Sequence, residues 1–205
     1  MRAAQACFWL ARRGFDRNTI RYMVGGGVVI KDAAAGNFVN ANSIYDNGVS
    51  SNGMDIDLLP SGGTAGNTPN DAGDLDTGPN QLQNFPVPTG LVYTGQGSSN
   101  RPATLSGTLD SKPGNYRVDA YFSSVINTGG RGHAQVHLGS RTITQLLGAP
   151  PVNFTMDILV PDQLPNGVLS FTATDIAGNT SEVGSAISIV VAPPVQDAMF
   201  KSGFE

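Results

Sequence analysis

The feature that most constrains this chain is an alternation. Between residues 91 and 192, apolar side chains recur at every second position in one run after another. Tyr116, Val118, Ala120 and Phe122 form one such row, and Phe154, Met156, Ile158 and Val160 a second. Leu169, Phe171 and Ala173 form a third, and Ile187, Ile189 and Val191 a fourth. Shorter rows hold Leu105 with Leu109, and Val136 with Leu138. A period of two places each row on one face of a strand and leaves the other face polar. Turn-forming clusters separate the rows: Lys112-Pro113-Gly114-Asn115, Asn127-Thr128-Gly129-Gly130, Pro165-Asn166-Gly167 and Ala177-Gly178-Asn179. Glycine and asparagine there tolerate the backbone angles that tight turns demand.

Roughly seven short strands over about 100 residues predict an antiparallel β-sandwich of immunoglobulin-like size over residues 89–192. The Cys-Trp-Cys hallmark of antibody domains is absent, so the expectation concerns architecture alone. Composition agrees. The 26 glycines and 13 prolines suit short strands with many turns and disfavour long helices. Charged residues make up 14% of the chain, against roughly 25% in an ordinary soluble domain. A net charge of −4 supplies no basic footprint, which argues against nucleic-acid binding. No apolar run approaches the ~20 residues of a membrane-spanning helix. Cys7 is the single cysteine, so no intramolecular disulfide can form.

The chain upstream has a different pattern. Asn18-Thr19-Ile20 recurs as Asn42-Ser43-Ile44, and Gly27-Val28-Val29-Ile30 recurs as Gly53-Met54-Asp55-Ile56. The first recurrence spans 24 positions and the second 26. Two short strands per repeat, with glycine and asparagine at the corners, predict about two right-handed parallel β-helix coils over residues 18–60. Such coils bury their apolar rows only against neighbours, so two need a cap or further coils. Residues 1–17 have no assignment: they are a cap or a mis-called start, and the run MRAAQACFWLARRG lacks the cleavage site of a signal peptide. Residues 61–88 form an acidic loop rich in Gly, Asp and Asn. A structureless loop of that length is functional or is ordered by something else. Residues 193–205 form a tail opened by Pro193-Pro194, which closes the last strand.

The segments NSIYDNGVSSNGMDIDL and TPNDAGDLDTGPNQLQNFP resemble large secreted bacterial proteins with right-handed parallel β-helix repeats of the pectate-lyase-like superfamily. The later segments LSGTLDSKPGNYRVDAYFSS, GHAQVHLGS and FTATDIAGNTSE are similar to the β-sandwich that follows the helix in that family. The ending Lys201-Ser202-Gly203-Phe204-Glu205 resembles short C-terminal tags of exported bacterial proteins. The resemblance covers residues 18–205 and implies a secreted or cell-surface location, with the C-terminal part of a longer β-helix protein as the template.

Among candidate sites the acidic loop stands first. Asp71, Asp74 and Asp76, with Asn80, place oxygens at short intervals around Gly73 and Gly78. Ca2+ takes six to eight hard oxygen ligands, and this spacing can wrap carboxylates around one ion. Asp55 and Asp57 could complete the shell if the loop folds back. The competing reading makes the same residues simple Asx-turns. His133 and His137, four apart around a strand, read as solvent-exposed positions with no third ligand. Asp175, Asn179 and Glu182 read as part of a hairpin turn. Arg17, Arg21, Lys31 and Asp32 read as solvated charges. No G-x-S-x-G elbow occurs, and Gly25-Gly26-Gly27 does not lead a strand into a helix, so neither nucleophilic catalysis nor phosphate binding is indicated.

The expected role is therefore non-catalytic: a structural cap on a β-helix, or an adhesin-like module binding a glycan or cell-surface ligand through exposed Tyr93, Tyr121 or the Gly129–His133 loop. Exposed coil edges imply self-association. The alternative is the C-terminal fragment of a polysaccharide lyase-like enzyme whose catalytic coils lie elsewhere.

Overall fold

The structure, a computed structural model, describes residues 14–48, 53–95, 100–126, 130–161 and 166–190. It is all-β. Cys7, the signal-like start and the C-terminal Gly-Phe-Glu lie outside the described residues.

The alternating rows become the strands expected of them. Seven strands follow one another: β7 (Val87–Tyr93), β8 (Asn100–Leu109), β9 (Gly114–Ser123), β10 (Val136–Gln145), β11 (Val152–Pro161), β12 (Asn166–Asp175) and β13 (Ile187–Val190). They form two antiparallel sheets, ordered β10-β9-β12-β13 and β11-β8-β7. The rows read from the sequence point into one core. Val118, Ala120 and Phe122 of β9 meet Met156, Ile158 and Val160 of β11, with Leu105, Leu169 and Phe171 between them. The Phe154 and Phe171 rings meet edge to face, 5.2 Å between centroids, the arrangement their quadrupoles favour. Gly107 makes that contact possible: a Cβ there would lie 2.7 Å from the Phe154 ring and 2.9 Å from the Phe171 ring.

Upstream, six short strands pair in parallel, two at a time. β1 (Gly14–Asp16) pairs with β4 (Phe38–Asn40), β2 (Thr19–Arg21) with β5 (Ser43–Tyr45), and β3 (Val28–Lys31) with β6 (Ile56–Leu59). The Asn18/Asn42 repeat is a true register: Ile20 opposes Ile44, and Asn42 Oδ1 accepts the Asn18 backbone N–H at 2.9 Å. The second repeat is displaced by two residues. Val28 opposes Ile56 and Ile30 opposes Leu58, where the sequence match set Ile30 against Ile56. A two-residue slip keeps the same face buried, so the apolar pattern alone does not distinguish the registers.

These paired strands lie against the outer face of β9. Val28, Val39, Ile44, Ile56 and Leu58 form one buried cluster with Tyr121, Ala134 and Val183. The acidic loop is ordered between the two halves, with a short 3-10 turn at Pro79–Leu82.

Candidate functional site

Two places concentrate polar groups. The first is the acidic loop. One carboxylate oxygen from each of Asp71, Asp74 and Asp76 lies within 4.8 Å of the others. Backbone turns hold the loop: the Asp74 N–H donates to the Asp71 carbonyl, and the Leu75 N–H to Asp71 Oδ2 at 2.9 Å. Asp74 is anchored to the body, its Oδ2 accepting the Ser111 hydroxyl at 2.6 Å and its Oδ1 the Asn84 N–H at 3.0 Å. Burial pushes Asp74 up, and Asp76 is raised by burial and then by the charges of Asp71 and Asp74. Lys112 offsets part of that repulsion. Asp71 Oδ1 and Asp76 Oδ1 are buried without a hydrogen-bond partner. Mutually repelling carboxylates with unsatisfied buried oxygens fit the donor set of a hard cation such as calcium.

The other three expected ligands are elsewhere. Asn80 is fully buried and its amide is saturated by protein. Its Oδ1 accepts from the Asn37 N–H at 3.0 Å, and its Nδ2 donates to the carbonyls of Asn37 and Thr180. Asp55 accepts from His133 Nδ1 and from the Ala134 N–H, each at 3.0 Å. Asp57 lies beneath the 60–68 segment, its Oδ2 accepting the Gly66 N–H.

The second place is the junction between the paired strands and the two sheets. In each of β4, β5 and β6 one N–H is met by a group from outside the parallel pair. The Val39 N–H of β4 donates to Thr180 Oγ1 at 2.9 Å. The Ile44 N–H of β5 donates to the Ala134 carbonyl at 2.7 Å. The Leu58 N–H of β6 donates to Glu182 Oε1 at 3.1 Å. Glu182 Oε2 also accepts the Thr68 N–H at 3.0 Å, with the Arg131 guanidinium 4.0 Å away. Arg131 itself stacks on the Phe85 ring. Burial pushes Glu182 up to about 7 and Asp57 up to about 6.

This junction corrects several expectations. His133 is buried, not exposed on a strand, because residues 130–135 run under the paired strands. Tyr121 is 2% exposed, since the face of β9 that alternation leaves polar is covered by Ile44 and its neighbours. Arg131 is buried as well, so Arg131, His133 and Tyr121 offer no open binding surface; Gly129 lies outside the described residues. Tyr93 is only partly buried, packed on the main core. Asp175 and Asn179 do form a turn, Asp175 accepting from the Asn179 backbone and side-chain N–H groups. Asn179 Oδ1 also accepts the Gly36 N–H at 2.7 Å across the junction. Sequence reasoning missed the junction roles of Thr180, Glu182 and Asp55. A glutamate and a threonine in an otherwise ordinary turn were the only signal.

The chain matches no family model, no curated protein and no solved structure. Among the described residues no helix is long and apolar enough to cross a membrane.

Proposed function

We propose that the chain is a non-catalytic module of a secreted or cell-surface protein, in which an immunoglobulin-like β-sandwich caps about two coils of a right-handed parallel β-helix of the pectate-lyase-like kind. The observation that supports this reading is the one-to-one satisfaction of the outer N–H groups of Val39, Ile44 and Leu58 by Thr180, Ala134 and Glu182. Unpaired strand edges recruit other strands, and covering them is how β-proteins avoid edge-to-edge association. A cap does this with fixed acceptors placed at each edge.

In the same reading Asp71, Asp74 and Asp76 hold a structural calcium ion that ties the acidic loop to the turn between β8 and β9. Calcium is then expected to raise the thermal midpoint and EDTA to lower it, with Asp76→Asn abolishing the shift. An unchanged midpoint at millimolar calcium would remove the ion from the proposal.

The cap itself is tested by hydrogen exchange on a Thr180→Val, Glu182→Ala double variant. The amides of residues 37–45 and 56–59 should lose protection while those of β9 and β12 keep it, and light scattering should show association. Uniform protection and a clean monomer would count against a capping role.

A further inference from the structure

Arg21 is not the solvated charge that its sequence context suggests. Its guanidinium carbon lies 4.0 Å from the centroid of the Tyr22 ring and 4.8 Å from that of Tyr45. Its Nη1 donates to Tyr45 Oη at 2.7 Å. Tyr45 is the partner of Arg21 in the register of β2 and β5, so this contact helps hold the two strands together. Tyr22 has no such role. It is 65% exposed, and its backbone lies in the left-handed region at φ 61°, where a bulky side chain is strained. The residue in the same place after β5 is Asp46, at φ 55°, and the Tyr22 N–H donates to its carbonyl at 3.1 Å. Aspartate tolerates that angle. Tyrosine takes on the strain there without burying its ring, and an outlier of that kind points to a function.

The polar groups beside the ring define what fits. Arg21 Nη2 stands 4.0 Å from Asp46 Oδ2, too far for a hydrogen bond. Among the described residues neither group has another hydrogen-bond partner. One oxygen between them would accept from Nη2 at about 2.9 Å and donate to Oδ2 at about 2.7 Å. A hydroxyl does both, whereas a carboxylate or phosphate only accepts and an ammonium only donates. Charge selects in the same direction. Asp46 repels an anion, and the guanidinium on one face of Tyr22 weakens the ring's pull on a second cation. A purely apolar partner would bury Arg21 and Asp46 without completing their hydrogen bonds, which is costly. A neutral ring with C–H bonds on its face and hydroxyls at its rim satisfies the aromatic face, the donor and the acceptor together.

We propose that this corner binds a neutral glycan, with a pyranose ring lying on the open face of Tyr22 and one of its hydroxyls bridging Arg21 Nη2 and the Asp46 carboxylate. The binding goes beyond the capping role, uses none of the capping contacts and needs no bound cation.

The test is affinity electrophoresis of the full chain through native gels containing dextran, mannan or galactan, with EDTA present. At least one of these neutral polymers should retard the protein relative to a plain gel, and the carboxymethylated form of that polymer should retard it less. Tyr22→Asn suits the left-handed angle, so it should keep or raise the thermal midpoint while restoring the mobility seen in a plain gel. Tyr22→Phe should still be retarded. Asp46→Gly, which also suits its angle, should raise the apparent Kd about tenfold. Retardation by none of the three neutral polymers, undiminished retardation of Tyr22→Asn, or stronger retardation by the carboxymethylated polymer would each overturn the proposal. So would a lowered midpoint for Tyr22→Asn, which would make the ring part of the strand stack.

Discussion

His133 Nδ1 lies 3.0 Å from Asp55 Oδ2, and both side chains are buried where the paired parallel strands meet the two-sheet body. They are 78 residues apart in sequence. Burial raises Asp55 and by itself would lower His133. The Asp55 hydrogen bond and charge outweigh that and hold the imidazole above its ordinary value. The Ala134 N–H adds a second donor to the same carboxylate oxygen. Removing one member leaves the other uncompensated. Asp55→Asn is therefore expected to destabilise the fold by about 3 kcal/mol at pH 7, read from the midpoint of urea unfolding. A loss below a few tenths would mean that the pair is energetically idle.

Asn80 ties the acidic loop to both halves. Its amide bonds Asn37 on one side and the Thr180 carbonyl on the other. It also holds a left-handed backbone angle, φ 44°, which asparagine tolerates better than most residues. Asn80→Ala strips out these bonds and leaves buried backbone groups unmet, so a loss of about 3 kcal/mol is expected. Calorimetry on the variant would measure it.

Stability should fall as pH rises through neutrality. Glu182 binds its proton more tightly in the folded chain, with a pKa of about 7, than in the unfolded chain. Its contribution is complete below the unfolded value and is lost as pH climbs through the folded one. Asp57, raised to about 6, acts in the same direction, and so does His133. A decline of about 1–3 kcal/mol between pH 5 and pH 8 is expected from denaturant unfolding at fixed ionic strength. Glu182→Gln should flatten that slope. A parent profile level across this range would refute the assignment.

At Gly107 a single methyl group decides the packing. Gly107→Ala would drive a Cβ into the Phe154 and Phe171 rings. Overpacking of that kind costs about 1–3 kcal/mol, and a lower thermal midpoint would show it. Phe171→Ala should cost about 3–5 kcal/mol by the opposite route, through a cavity.

The strands of the two-sheet body were legible because alternation is a local property. Each residue's neighbours two positions away decide its face, so Val118, Phe122, Met156, Ile158 and Phe171 declare themselves without knowledge of the fold. The Asn18/Asn42 register was legible for a similar reason, since identical side chains stack in a parallel pair. Of the expected metal ligands, Asp71, Asp74 and Asp76 come together because they share one short loop.

What the sequence could not reveal depends on which surfaces meet. Alternation places Tyr121 on the polar face of β9, and only the docking of Ile44 and Leu58 over that face buries it. The register of β3 against β6 is fixed by contacts beneath it, because slips of two residues preserve the apolar face. Asp55, Asn80, Thr180 and Glu182 look like ordinary loop and turn residues along the chain. Their partners across the junction lie 43 to 141 residues away, and a hydrogen bond between distant residues leaves no periodic trace. Local periodicity determined the strands; the burial of polar groups between the two halves was decided by tertiary structure, where each acceptor had to meet a donor that water could no longer reach.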